Sequence, residues 1–229
     1  MLGTFVNVAA IIAGSLIGLI FRGRISEKYN KPIIQAVSLG VILIGLKNAF
    51  KCDDFILIII SLALGTLLGE LCKIELRLEN IGTWIENKFL KKGGTFAEGF
   101  VTTSLLYCVG AMAIVGSLES GLTGNHSTLF AKSTLDGLGS IIFSSTMGIG
   151  VLFSSVSVLL YQGTITLAAE YVKPFLVPEV ISQMSSVGGL LIAALGMNML
   201  GNKFIKVGNM LPAVFIPFIY YIGMQFFIR

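Results

Sequence analysis

Charge is scarce in this sequence. Lysine, arginine, aspartate and glutamate make up 12% of its 229 residues, against about 25% in an ordinary soluble domain. So few ionic groups cannot cover a water-facing surface, which excludes a soluble globular domain. Cysteine is nearly absent as well. Cys52, Cys72 and Cys108 form no C-x-x-C pair and are odd in number, which excludes a disulfide framework. The single histidine, His126, has no cysteine or carboxylate at metal-ligand spacing, so no metal site is expected. No G-x-S-x-G, Walker loop or H-E-x-x-H occurs. An intramembrane protease needs a paired set of catalytic groups, and Asp136 stands without one. The sequence therefore predicts neither an enzyme nor a cofactor. No basic segment or A-x-A cleavage site precedes the first apolar run, so that run is read as a retained span.

What fills the chain instead is apolar: 55% hydrophobic residues and a mean hydropathy of +0.89. The 27 glycines suit close helix packing in lipid, where small residues let backbones approach. At about 20 residues per crossing, the length allows seven or eight. The predicted fold class is all-α, a polytopic transmembrane helical bundle of about eight spans (alternatively seven), forming one integral membrane domain over 1–229. Spans one to three occupy 1–72, at 2–21, 32–50 and 55–72. Spans four to six occupy 96–172, the fourth at 100–118. Spans seven and eight occupy 178–229, at 180–200 and 207–227. Residues 137–171 carry one charge, Glu170, over a length too great for one span. They are expected to hold spans five and six, meeting in a tight or broken, Gly/Ser-rich turn at 144–150.

Residues 73–92 read differently. Ile74, Leu78, Ile81, Ile85 and Phe89 recur at steps of four and three, with charges elsewhere on the wheel. This predicts an amphipathic helix lying in the interface, with Trp84 at headgroup depth. The loop bases Arg22, Arg24, Lys28 and Lys31, and those of 73–92, place both loops in the cytoplasm and the N-terminus outside. Basic loops explain the pI of about 9.0 as an orientation signal, and no nucleic-acid partner is expected. Residues 32–45 also resemble 180–193, sharing Ile33/Ile181, Gln35/Gln183, Ser38/Ser186, Gly40/Gly188, Leu43/Leu191 and Ile44/Ile192. An offset of five spans makes the two copies cross in opposite directions, the inverted repeat typical of secondary transporters.

Ionisable or amide groups inside apolar spans are costly and mark functional positions. Asp136 heads the candidates for a substrate or ion site. It stands at the entrance of the charge-poor stretch, with Gly137, Gly139 and Ser140 favouring irregular backbone and Lys132 four residues earlier on one helical face. Glu98 precedes span four and suits a helix N-terminus. Asn7, Gln35, Gln162, Gln183, Asn198 and Asn209 each need a partner in hydrocarbon. The repeat would set Gln35 and Gln183 near its pseudo-twofold axis. Gly14-x-x-x-Gly18 and Gly65-x-x-x-Gly69 mark close helix contacts, within the chain or across a homo-oligomer, most simply a dimer.

The runs Met1-Leu2-Gly3-Thr4, Phe96-Ala97-Glu98-Gly99-Phe100-Val101 and Val109-Gly110-Ala111-Met112-Ala113-Ile114-Val115-Gly116 carry a further signal. So do Ala131-Lys132-Ser133-Thr134-Leu135-Asp136-Gly137, Leu160-Tyr161-Gln162-Gly163 and Asn209-Met210-Leu211-Pro212-Ala213. Together they resemble the YdfK/YqgA family of bacterial membrane proteins (domain of unknown function 554), across essentially the whole chain. That resemblance implies a multi-pass protein of the bacterial cytoplasmic membrane. It also implies that Glu98, Lys132, Asp136 and Gln162 belong to the family pattern, and it names no substrate. The expected function is an ion-coupled carrier of a small ion or solute with its site near Asp136. An oligomeric channel lined by hydroxyls of 140–157 and a non-transporting membrane scaffold are the alternatives.

Overall fold

A computed structural model describes residues 1–22, 27–77, 80, 96–108, 111–201 and 205–227. Its elements are α1 (Leu2–Phe21), α2 (Glu27–Ala49), α3 (Phe55–Cys72), α4 (Phe96–Cys108), α5 (Ala111–Leu122), α6 (Ser127–Met147) and α7 (Gly150–Leu167). They continue with α8 (Ala169–Val172), α9 (Pro178–Met199), α10 (Val207–Met210), a 3-10 turn (Leu211–Phe215) and α11 (Ile216–Phe227). The fold is all-helical, with no strand among the described residues. Residues 74–77 are helical, but most of the amphipathic helix expected at 73–92 lies outside the described residues.

The helices are built for lipid. In α1 the inward face is Gly3, Thr4, Asn7, Ile11, Gly14, Ser15 and Gly18, while Leu2, Phe5, Leu16 and Ile20 point outward, each about half exposed. Small and polar groups inside, large apolar ones outside, is the reverse of a soluble amphipathic helix. It follows from a solvent as apolar as leucine, in which association rests on close packing and hydrogen bonds. Five stretches are long and apolar enough to cross a membrane: α1, α3, α7, α9 and Val207–Gln225. The α4–α5 pair makes a sixth when taken as one span, bent by 58° at its break. The apolar part of α2, Ile34–Ala49, is shorter.

Two groups of helices result. One holds α1 and α4 to α7; the other holds α2, α3 and α9 to α11. The most enclosed helix is α9, where Val187, Leu191 and Ile192 are fully buried. It runs antiparallel to α2: Ser182 Oγ donates to the Lys51 carbonyl at 2.6 Å and Ser186 Oγ to that of Asn48 at 3.3 Å, while Gly196 meets Ser38 and Ile42. Gly45 sits against the backbone of Ala193 and Gly189, with no room for a side chain. Likewise α3 runs antiparallel to α10 and the 3-10 turn, with Gly65 on Ala213 and Gly69 on the Asn209 carbonyl. The small-residue spacings of α1 and α3 thus serve contacts inside the chain.

Three sequence expectations change. The segment around Gly137 is regular helix: α6 starts at Ser127, so Asp136 lies mid-helix and not at an entrance. Gly137 allows α6 to press on Ala10 of α1, a close approach and not a break. The irregularity of 144–150 shrinks to a two-residue turn at Gly148-Ile149, where Gly148 takes φ +80° and the Arg22 guanidinium lies against it. Span four, read as continuous over 100–118, is broken into α4 and α5.

Candidate functional site: a buried ion pair in an amide chain

α6 is long but carries an unusually polar buried face. It alternates Lys132, Ser133, Asp136, Ser140 and Ser144 on its buried face, and it is not among the apolar spans. Its neighbours cover these groups. α1 lies parallel to it, with Gly14 at Gly137 and Ser140, Gly18 at Ile141 and Ser144, and Ser144 Oγ donating to the Ser15 carbonyl at 2.9 Å. Ile11, Tyr107 and Val158, from α1, α4 and α7, form a small apolar cluster beside them.

Within that enclosure Lys132 Nζ stands 3.0 Å from Asp136 Oδ1 and 2.9 Å from Oδ2. Lys132 is 7% and Asp136 6% exposed. The i, i+4 spacing aligns the two on one face, and an ion pair this deep is a costly arrangement unless its remaining hydrogen-bonding capacity is filled. α1 supplies part of that. Asn7 Nδ2 donates to Asp136 Oδ2 at 3.0 Å and reaches Gln162 Oε1 of α7 at 3.4 Å. Asn7 and Gln162 are both fully buried. One turn further along α6, Ser140 Oγ and Tyr107 Oη are 2.8 Å apart. Tyr107 and Cys108, at the end of α4 where the span breaks, lie within the electrostatic reach of Asp136.

Of the residues singled out from sequence, Lys132, Asp136, Asn7 and Gln162 come together, with Ser140 one turn away. The others do not join them. Glu98 is half-buried in the first turn of α4, at the opposite end of that helix from Tyr107. Gln35 is exposed on α2 and Gln183 buried on α9. The α2–α9 crossing falls near Gly45, so at 1.5 Å per residue each glutamine is on the order of 15 Å from it, on opposite sides. Asn198 and Asn209 fasten the loop end of the second group. Asn198 exchanges two hydrogen bonds with the Ile205 backbone at 2.7 and 3.2 Å, and Asn209 Oδ1 accepts from the Glu75 amide at 2.7 Å. Of the hydroxyls expected along a pore, Ser154 and Ser155 donate at 2.6 Å to carbonyls three residues earlier, while Ser140, Ser144 and Ser157 bond to other helices.

Tyr107 escaped the sequence reading. A phenol inside an apolar helix needs a partner for its hydroxyl, and that was the available signal. Beside the polar chain, Cys108 and Tyr161 also line an apolar cavity of about 640 Å³ between α4, α7, α9 and the 3-10 turn. No group of three or more potential metal ligands occurs among the described residues.

Comparison with known proteins fits a lipid-embedded bundle. The chain is 36% identical over 221 residues to the uncharacterized membrane protein YdfK of Bacillus subtilis, covering 95% of this chain and 94% of that one. To the uncharacterized protein YqgA of Escherichia coli it is 32% identical over 219 residues, 93% of each chain. No solved structure matches it. Residues 2–222 match the family described as protein of unknown function (DUF554). With that match and two relatives aligned along nearly their full lengths, the chain belongs to this family of membrane proteins.

Proposed function

We propose that the protein is an ion-coupled carrier of a small solute in the bacterial cytoplasmic membrane, working through the Lys132–Asp136 pair. One observation carries the reading: a charged pair at the middle of α6, less than a tenth exposed and bonded to a second helix through Asn7. Hydrophobic residues of similar volume are often as stable as a buried ion pair or more so. Stability alone therefore gives weak grounds for Lys132 and Asp136, whereas a pair that exchanges partners during transport gives strong ones.

The helix arrangement supports the same reading. Positions 45 and 193, and positions 65 and 213, are each separated by the 148 residues that relate 32–45 to 180–193, and both pairs are in contact. Ile11 and Val158, one short of that separation, share a cluster. A pseudo-twofold axis in the membrane plane, passing through three antiparallel pairs, accounts for all three contacts. α1 to α3 are then the inverted counterparts of α7, α9 and α10–α11, and the broken α4–α5 span ends beside the ion pair. Broken helices at a repeat interface are where carriers hold their ions. The reading has eight crossings with both termini outside, and no catalytic step.

The test is charge movement by the reconstituted protein on a solid-supported membrane, challenged with gradients of H⁺, Na⁺, K⁺, phosphate and small organic acids and amines. Wild type should give a saturable current with at least one of these, and Asp136→Asn should abolish it while eluting as a folded species. A full current in the folded Asp136→Asn variant removes the pair from the mechanism.

A further inference from the structure

Many hydroxyls inside these helices turn back on their own backbone. Ser38, Thr66, Thr103, Ser117 and Ser133 each donate to the carbonyl four residues earlier at 2.6 Å. Thr166 does not, although the Gln162 carbonyl stands four residues before it. Its Oγ1 has no hydrogen-bond partner among the described residues, and neither do Thr4 Oγ1, Asn7 Oδ1 or Gln162 Nε2. Each of these four residues is buried, the most open being Thr166 at 6%.

Their placement is ordered. Thr4 and Asn7 are one turn apart on the buried face of α1, and Gln162 and Thr166 one turn apart on that of α7. The helices are antiparallel: Asn7 meets Gln162, Met1 lies over Gly163, and Arg22 at the other end of α1 meets Gly148. One turn from Asn7 toward the start of α1 therefore corresponds to one turn from Gln162 toward the end of α7. Thr4 and Thr166 stand at that outer level and Asn7 and Gln162 at the inner one. Asn7 in turn is bonded to Asp136. Other unpartnered hydroxyls, those of Ser15, Ser61, Thr102 and Ser185, are scattered over α1, α3, α4 and α9, whereas these four atoms together mark a seam leading from the end of the bundle to the ion pair.

Their chemistry selects what the seam takes. A dehydrated metal cation needs oxygen ligands throughout, and Gln162 Nε2 is a donor only. An anion needs donors, and Asn7 Oδ1 is an acceptor only. Two hydroxyls, one acceptor and one donor suit a molecule that both gives and receives hydrogen bonds, which is water. Buried water typically occupies such sites with two to four polar partners.

We infer that the α1–α7 seam holds a short file of water by which protons from the N-terminal side of the membrane reach Asp136, so that the coupling ion of the carrier is the proton. This builds on the carrier reading above, since coupling presupposes a solute. In the step itself an O–H bond forms on an Asp136 carboxyl oxygen and one breaks on a hydronium of the file. The site then holds the single positive charge of Lys132. Among the described residues the charged and titratable groups facing Asp136 are Lys132 from its own helix and Tyr107 and Cys108 from α4. α1 and α7 present the neutral Asn7 and Gln162.

Infrared spectra of the full-length protein in phosphatidylcholine–phosphatidylglycerol vesicles test this without any solute. Wild type minus Asp136→Asn isolates the Asp136 carboxyl stretch from the other acids. Its band should appear on acidification and shift within seconds of exchanging H₂O for D₂O. Thr4→Val with Thr166→Val, which keeps side-chain shape and removes both hydroxyls, should slow that shift by about tenfold or more. If the double variant does not fold, each single variant read in the same way takes its place. An equally fast shift without the hydroxyls overturns the inference, and so does a band that never appears while the protein stays folded. A fast, seam-dependent shift in a protein that moves no solute leaves the water file and its delivery of protons to Asp136 standing, and removes the carrier reading and the coupling with it.

Discussion

Asn7 Nδ2 stands 3.0 Å from Asp136 Oδ2, joining residues 129 positions apart. Among the described residues it is the only side-chain hydrogen bond from α1 to the carboxylate of α6, and the same nitrogen extends to Gln162 on α7 at 3.4 Å. Three helices are thus held in register by one amide. Asn7→Leu takes away the donor, which leaves the buried Gln162 amide oxygen unpaired and Asp136 Oδ2 with Lys132 alone. Such losses cost about 1–3 kcal/mol for each group left unsatisfied. Thermal unfolding of the purified variant in detergent should therefore show a midpoint several degrees lower, while Asn7→Gln should recover part of the loss. An unchanged midpoint in Asn7→Leu means the bond contributes nothing to the bundle.

The ion pair itself predicts an asymmetric mutational series. Lys132→Met alone strands the Asp136 charge in the interior, a change of about 3–5 kcal/mol for a broken buried pair. Lys132→Met with Asp136→Leu removes both charges and should return the unfolding midpoint to within a few degrees of wild type. Charge movement should stay absent in the double variant. Recovery of stability without recovery of transport separates the working role of the pair from a packing role. If the double variant remains as unstable as the single, the two residues are held for structure.

Glycine contacts give a paired prediction. Gly69 faces the Asn209 carbonyl at a separation that leaves no space for a methyl group, whereas nothing lies within 4 Å of a methyl group at Gly40. Both are in helices. Gly40→Ala should therefore stabilise by up to about 1 kcal/mol through helix propensity. Gly69→Ala should do the reverse, because α3 must move off α10 to admit the methyl group. Detergent unfolding midpoints that shift in the same direction for both variants contradict the packing described between α3 and α10.

Much of this bundle is legible in the sequence, for a physical reason. Hydrocarbon tolerates no unpaired backbone, so an apolar run of sufficient length has to be helix, and α1 and α3 match their expected bounds residue for residue. The i, i+4 relation of Lys132 and Asp136 is likewise local and readable. What failed were features set by neighbours. Gly137 and Gly139 look like helix breakers in isolation, and only the presence of α1 at Ala10 shows Gly137 serving a close approach. Asn7 and Gln162 are 155 positions apart, and nothing local distinguishes them from Asn198 and Asn209, which fasten a loop. The Gln35/Gln183 pairing failed because α2 and α9 are antiparallel and cross near Gly45, far from both glutamines. Those two glutamines sit about two to three turns from that crossing, on opposite sides.

Topology supplies the final prediction. α1 is antiparallel to α7 but parallel to α6, α2 is antiparallel to α9, and α3 is antiparallel to α10. Strict alternation of eight crossings gives each of these directions, with the α4–α5 pair counted once. Under it the basic loop after α1, residues 73–92 and the Lys203/Lys206 loop all face the cytoplasm, as positive charge requires. Alkaline phosphatase fused after Arg229 should then be active and a green fluorescent protein fused there dark, with the converse at Lys91. A bright fluorescent fusion after Arg229 calls for an odd number of crossings. It would remove one member of an antiparallel pair from the membrane, and with it the pseudo-twofold axis proposed through Gly45 and Ala193.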